Sequence, residues 1–383
     1  MQTVVDLLCE MIAIDSRSSV SNVPLANFMQ SQLENWEIER LDYVDAEGIT
    51  KTNVIAADPE SASPLAFAGH LDTVSAAGWD TDPFRAAIAG DRLTGLGAAD
   101  MKGPIAAFLS AARQMDPRVR PKIVLTADEE VTKQGVREVV AKSRLLRDAK
   151  PKCFIVCEPT SLGIVRGHRV DVQFVIHSHG RQAHSSTGRG LNANLQLVPF
   201  LADIRDLHLR LRRDVTRHDT QYDPPFCDLN FVIDNYGTFP NVTVGLATCR
   251  IKFRYSKSID PQPVIDEIRR AAETHGLDIE VRPEAPPPEL PADAPLVRAM
   301  EHIIGRKACV MGLGTEASEY SRMAPSLILG PGDIDVCHKP AESIDIRELQ
   351  EAVGLYERIA KELPALLEAQ GSDHKALIPA DDG

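Results

Sequence analysis

Acids and imidazoles recur in this chain where short apolar runs end. His70 and Asp72 stand in GHLDTV, Asp100 in GLGAADMKG, Glu129 and Glu130 in TADEE, Glu158 in CEPT, and His338 in GPGDIDVCHKPAE. In an open parallel sheet, ligands collect at the carboxyl ends of the strands, so residues distant in sequence can converge on one cleft. Asp100, Glu129, Glu130 and Glu158 brought together would raise one another's pKa by repulsion unless cations were present. Two divalent metals resolve this, because two Zn²⁺ ions are neutralised by three carboxylate ligands and one bridging hydroxide. The fourth acid is then free to act as a base. Imidazole with carboxylate is a suitable donor set for zinc, and Asp72, two residues after His70, can fix that ring's tautomer.

The elements that must position these groups are legible as periodicity. Val4, Leu7, Leu8, Met11 and Ile12 fall at helical spacing, with Asp6 and Glu10 between them. The runs TNVIAAD, PLAFAGHLDTV, PKIVLTADEE and KCFIVCEPT read as buried strands, each ending in polar residues. Between them KGPIAAFLSAARQM, from Lys102 to Met115, predicts a helix opened by Gly103 and Pro104. SLILG reads as a late strand delivering His338. This is an α/β pattern with a mixed, largely parallel sheet.

From about residue 168 the pattern changes. VDVQFVIHSHG, CDLNFVIDNYG, LATCRIKFRYSKS and LDIEVRP alternate as strands, with amphipathic helices expected over 191–213 and 261–275. The order strand, helix, strand, strand, helix, strand is the split βαβ, ferredoxin-like α+β plan. The expected organisation is a smaller domain at 168–284 inserted into a larger one made of 1–167 and 285–370, followed by a tail at 371–383.

Composition narrows the class. A formal net charge of −13 on 383 residues disfavours nucleic acid and anionic membrane as partners, and 43% hydrophobic content suits a full core. No segment reaches the roughly 20 apolar residues of a membrane span. The N-terminus has neither the basic region nor the uninterrupted apolar run of a secretory signal. Seven cysteines form an odd set without zinc-ribbon spacing, and Cys153 and Cys157 lack the spacing of a redox pair. Free thiols in a reducing cytoplasm are the expectation. His177 and His179 alternate on a strand with no carboxylate between them and read as surface or interface histidines.

Taken in order, GHLDTV, GLGAADMKGPIAA, TADEE followed by Gly135, CEPT, AHSS and GPGDIDVCHKPAE resemble the aminoacylase, acetylornithine deacetylase and succinyl-diaminopimelate desuccinylase group of cocatalytic zinc hydrolases. The resemblance implies an α/β zinc-peptidase-like catalytic domain carrying an inserted dimerisation or lid domain, and a homodimer. It implies that His70, Asp100 and Glu158 hold one zinc while Asp100, Glu130 and His338 hold the other, with Asp100 bridging. Glu129 then matches the general base, His184 in the AHSS segment a histidine that reaches an oxyanion, and Asn241 and Arg254 positions that engage substrate. Cobalt or manganese would also suit this ligand set.

Within the group, GTEASEY and LILGPGDIDVCHKPAESI resemble the acetylornithine deacetylase branch, which implies that Thr315, Glu316, Gly332 and Glu342 shape the pocket. The expected reaction is hydrolysis of N-acetylornithine to ornithine and acetate, as in arginine biosynthesis. Succinyl-diaminopimelate desuccinylase, aminoacylase and dipeptide-cleaving carboxypeptidase are the alternatives, and a catalytically silent binding protein is the alternative of another class. A cationic substrate tail needs an acidic partner, for which Glu316, Glu319 and Asp335 are candidates. Three positions depart from the group's pattern. Arg169-Val170 stands for Lys-Gly after His168, TGRGLNAN after AHSS lacks a proline, and Arg254-Tyr255-Ser256-Lys257 stands for Arg-x-x-Pro.

Overall fold

The computed structural model describes residues 2–369, so the tail expected at 371–383 and residue 370 lie outside the description. Among the described residues the chain divides into two compact units, one of residues 2–167, 288–309 and 315–369, the other of 168–287 and 310–314.

The first unit is an α/β structure. Its chain opens with the helix Val4–Ile12, where Thr3 Oγ1 accepts from Asp6 N at 3.1 Å and the Asp6 carboxylate accepts from Thr3 N at 3.1 Å, a reciprocal cap. The apolar stripe read from the sequence is its buried face. Six strands are successive neighbours in the sheet of this unit, in the order Glu37–Val44, Thr50–Ala57, Lys122–Thr126, Leu65–His70, Cys153–Val156 and Ser326–Ile328. Leu65–His70 runs parallel to Lys122–Thr126 and to Cys153–Val156, which in turn runs parallel to Ser326–Ile328. These four strands are buried on both faces, which is why they read as unbroken apolar runs. Thr50–Ala57 and Glu37–Val44 extend the sheet antiparallel. Glu37–Val44 escapes a sequence reading because EIERLDYV is half-exposed on both faces.

The helix Lys102–Gln114 is buried along nearly its whole length and packs with the long helix Ile346–Ala369. Phe67 of the sheet, Phe108 and Tyr356 meet there with ring centroids 5.1–6.4 Å apart, each pair adding about 0.5–1.5 kcal/mol beyond area burial. The Tyr356 hydroxyl, buried with the rings, donates to Leu329 O at 3.0 Å. No described helix is long and apolar enough to cross a membrane.

The second unit is a four-stranded antiparallel sheet in the order Asp228–Asp234, Leu246–Tyr255, Val170–His179, Asp278–Pro283. The helices Ala193–Arg213 and Gln262–Thr274 cover one face, burying Leu197, Phe200, Ile204 and Ile268 against Phe174, Ile176, Ile251 and Phe253. Element and strand order are those of the split βαβ plan. His177 bonds Thr248 Oγ1 through Nδ1 at 2.9 Å, and His179 meets Asp278 of the neighbouring strand at 3.1 Å. All seven cysteines are free.

Candidate metal centre

The parallel strands of the first unit point their carboxyl ends the same way, and each releases a polar residue as it leaves the sheet. Leu65–His70 ends on His70 itself, Lys122–Thr126 runs into Glu129 and Glu130, Cys153–Val156 into Glu158, and Ser326–Ile328 into the turn that carries His338. Asp100 comes from the loop that opens the helix Lys102–Gln114. Two sets of donor atoms result, His70 with Asp100 and Glu158, and Asp100 with Glu130 and His338, the atoms of each lying within 4.8 Å of one another.

Asp100 belongs to both sets through different oxygens. Its Oδ1 lies 3.1 Å from His70 Nε2 and its Oδ2 3.2 Å from His338 Nε2. His70 Nε2 also lies 3.8 Å from Glu158, and His338 Nε2 3.0 Å from Glu130. His70 Nδ1 faces the backbone carbonyl of Asp72 at 3.0 Å. A carbonyl only accepts, so Nδ1 carries a hydrogen, and Nε2 is the nitrogen turned to the carboxylates of the set. The ring is thus met by the Asp72 main chain and not, as expected, by the Asp72 carboxylate, which is 3.7 Å from Nδ1.

Two buried carboxylates instead brace the loops that carry the candidate ligands. Asp72 accepts from Glu129 N at 3.1 Å and Glu130 N at 3.2 Å, and from Ser18 Oγ at 2.8 Å. Glu342 accepts from Gly97 N, Ala99 N and Asp100 N at 2.8–3.0 Å. Glu342 therefore fixes the Asp100 loop, a role that its position in HKPAE does not disclose. Gly332 closes a gap between loops. Its φ is +105°, and a Cβ there would meet Pro159 and Ala99 at 3.2–3.3 Å, beside Glu158 and Asp100.

The electrostatics are those of a site short of positive charge. Burial would pull the His70 imidazole down, but the hydrogen bond to Asp100 and the charges of Glu158, Asp100 and Asp72 hold it well above its usual range. Burial raises Glu158 well above an ordinary carboxyl, against His70, with Asp100 and Glu129 adding to the rise. Burial likewise pushes Glu130 up to about 7, against its hydrogen bond with His338. His338 is raised to about 10 by Asp100 and Glu130. Burial acts against ionisation of Asp100 too, yet hydrogen bonds from His338 and His70 keep it below the usual carboxylate range. In each set the imidazole takes the place of a cation. Nitrogen and carboxylate donors, one shared carboxylate and this charge imbalance fit two divalent ions.

Glu129 stands in neither set. Burial raises its carboxyl, Lys133 and His70 lower it, and Asp100 and Asp72 raise it. The Lys133 ammonium lies 3.9 Å from its Oε1.

The remaining candidates are placed as follows. Thr315 and Glu316 are buried in the first unit, where Thr126 Oγ1 donates to Glu316 Oε2 at 2.8 Å. Glu319 is held by Arg137 at 2.9 Å and Arg322 at 3.3 Å, while Asp335 is exposed. His184, Asn241 and Arg254 belong to the second unit. There His184 bridges Val242, Ser185 N donates to Asn241 O at 2.9 Å, and Arg254 faces Asp171 and Asp228 across the sheet. Sequence reasoning misses Asp128, inside the Glu129 turn, and Ser18, Tyr43 and Lys51, which reach that turn from strands and loops remote in sequence.

The model of peptidase family M20/M25/M40 matches residues 66–362. Acetylornithine deacetylase of Pectobacterium carotovorum subsp. carotovorum (strain PC1) is 32% identical over 352 residues, covering 88% of this chain and 89% of the relative. The M20 family metallo-carboxypeptidase Sso-CP2 from Sulfolobus solfataricus has the same fold, with a TM-score of 0.73 at 16% identity over 95% of this chain and 100% of that one. The Bacillus subtilis YXEP protein, described as a dinuclear metal-binding peptidase of the M20 family, gives a TM-score of 0.60 at 17% identity over 93% and 96% of the two chains.

Proposed function

The chain belongs to peptidase family M20/M25/M40, and within it we propose a metal-dependent hydrolase that cleaves the amide bond of a small N-acyl amino acid, with Glu129 as general base. The observation that carries this reading is the pair of donor sets sharing Asp100, with one further buried acid, Glu129, outside both. His70, Asp100 and Glu158 would hold one divalent ion and Asp100, Glu130 and His338 the other. Ions bound there supply Lewis acidity, which lowers the pKa of water and polarises an amide carbonyl. Zinc suits the donors best, and cobalt or manganese would be accepted.

The chain's own residues supply the proton transfers. Glu129 takes a proton from the attacking water as its oxygen adds to the acyl carbon. It returns that proton to the nitrogen as the C–N bond breaks, leaving an acid and a free amine. Such transfer contributes about 10² to 10⁴-fold. Asp72 holds the Glu129 and Glu130 amides while this happens, and Glu342 holds the Asp100 loop. His184, Asn241 and Arg254 are assigned to the oxyanion and the substrate on their motif match alone, as are Thr315 and Gly332 to the pocket.

For the substrate we favour N-acetylornithine, cleaved in the cytoplasm. Support comes from the GTEASEY and GPGDIDVCHKPAE segments and from relatives named acetylornithine deacetylase at about 30% identity. Of the three acids considered for a cationic tail, Glu319 is committed to two arginines and Glu316 is fully buried, which leaves Asp335, exposed three residues before His338. A homodimer through the second unit belongs to the same reading, supported by the edge strand Asp228–Asp234 with Phe231, Val232 and Ile233 exposed. A panel of N-acyl amino acids tests the substrate. Preference for acetylornithine or acetylcitrulline over acetylmethionine is expected; hydrolysis without that preference rejects the branch and keeps the reaction class.

A further inference from the structure

The turn that carries Glu129 is anchored by a buried group that takes no part in the reaction described above. Asp128, the residue before Glu129, has a left-handed backbone at φ +61°, and Lys133 has another at +54°. Between them the chain closes on itself, with Thr132 N donating to Asp128 O at 3.1 Å and Lys133 N to the same oxygen at 2.7 Å. Two non-glycine residues in this conformation persist only where their surroundings enforce it.

The enforcing contacts come from the hairpin of Glu37–Val44 and Thr50–Ala57. Tyr43 and Lys51 are opposite partners in its register, so their side chains share one face. The Tyr43 hydroxyl donates to Asp128 Oδ2 at 2.7 Å, and the Lys51 ammonium lies 3.0 Å from Asp128 Oδ1. Lys51 is 1% exposed, donates to Ser18 O at 2.5 Å and Val20 O at 2.9 Å, and is paired by charge with Asp128, with Asp45 Oδ2 3.7 Å away. Ser18 is the residue whose hydroxyl donates to Asp72, and Asp72 holds the Glu129 and Glu130 amides. One ammonium thus ties together both devices that fix the turn, Asp128 from inside it and the Ser18–Asp72 pair across from it.

We propose that Lys51, with its hairpin partner Tyr43, is a positioning residue that sets the Glu129 carboxylate for proton transfer, acting through Asp128 and through the Ser18 segment. The proposal rests on Glu129 being the general base. A catalytic group displaced by about 1 Å can lose on the order of 10²-fold in rate.

The test is a double-mutant cycle on the metal-loaded full chain with an N-acyl amino acid substrate, reading kcat, KM, metal per chain and thermal midpoint. Tyr43→Phe keeps the ring and removes one hydrogen bond, so it carries the test even if Lys51→Met does not fold. The expected result is a fall in kcat of about 10- to 100-fold for Tyr43→Phe, and for Lys51→Met where folded, with KM and metal content unchanged. In a Glu129→Gln background the same substitution should cost less than about twofold, because the group it positions is already gone. An equal fold-loss in both backgrounds, a loss matched by lost metal, or a folded Tyr43→Phe with unchanged kcat overturns the proposal. Glu129→Gln measured alone separates the two readings, since full activity there removes the general base itself.

Discussion

Replacing Asp72 by asparagine separates two roles that motif matching merges. Its spacing from His70 makes this residue the partner of the His70 ring, whereas in the structure its carboxylate, 1% exposed, accepts from two backbone amides and a hydroxyl. Asparagine offers one acceptor oxygen in place of two. If that oxygen serves Glu129 N, the new NH₂ faces Glu130 N, and a buried donor loses its partner. Leaving such a group unmet costs about 1–3 kcal/mol, and the bond lost was charge-assisted, so a stability loss of about 2–3 kcal/mol follows. The Glu129 turn loosens, and kcat should fall by on the order of 10²-fold. Metal binding by the His70 set should be spared, because His70 Nδ1 is held by the Asp72 carbonyl, which the substitution keeps. Its affinity should change by less than the roughly 10- to 100-fold typical of losing a ligand's own hydrogen-bond partner. Urea unfolding, metal titration against a competing chelator and steady-state kinetics on one Asp72→Asn preparation measure all three quantities. Weakened metal binding with kcat restored at saturating metal would refute the reasoning.

Three further outcomes follow from the geometry. Asp100→Asn, which leaves one oxygen where two face His70 and His338, should lower bound metal from two ions per chain to one or none and abolish turnover, as elemental analysis beside an activity assay will report. Glu316 is raised by burial to about 8 from 4.5, so the folded protein keeps a proton that the unfolded chain releases, and stability is lost as pH rises from about 4.5 to about 8. Glu316→Gln should flatten this dependence and unfold at higher urea than the parent at pH 8; parallel slopes would discount the titration. Gly103→Ala would place a Cβ 2.2 Å from Ala98 O and 2.9 Å from Ile344, so a loss of about 1–3 kcal/mol and weaker metal binding are expected from displacement of the Asp100 loop, both visible in a thermal melt with and without added metal.

Much of this is legible in the amino-acid sequence because buried parallel strands write themselves as apolar runs and put their polar exits on one side. His70, Glu130 and Glu158 follow such runs directly, and the structure brings them together with Asp100 and His338. The helix Lys102–Gln114 and the two helices of the second unit begin within two residues of their sequence expectations for the same reason of strong periodicity. What stays hidden depends on long-range pairing. Lys51 opens a buried strand and Tyr43 sits on a half-exposed one, and only their register, opposite each other and against Asp128, gives them a common purpose. Asp128 is inconspicuous inside TADEE because the two glutamates after it absorb the chemistry. Glu342 reads as a pocket residue because its three amide partners lie more than two hundred residues earlier in the chain.

The most direct test of the account is Glu129→Gln, with divalent metal per chain and kcat on an N-acyl amino acid measured on the same preparation. Glutamine keeps the shape and removes the base, while both donor sets are untouched. Two ions per chain with turnover reduced by about 10² to 10⁴-fold is the predicted result. Two ions per chain with turnover within tenfold of the parent would contradict it.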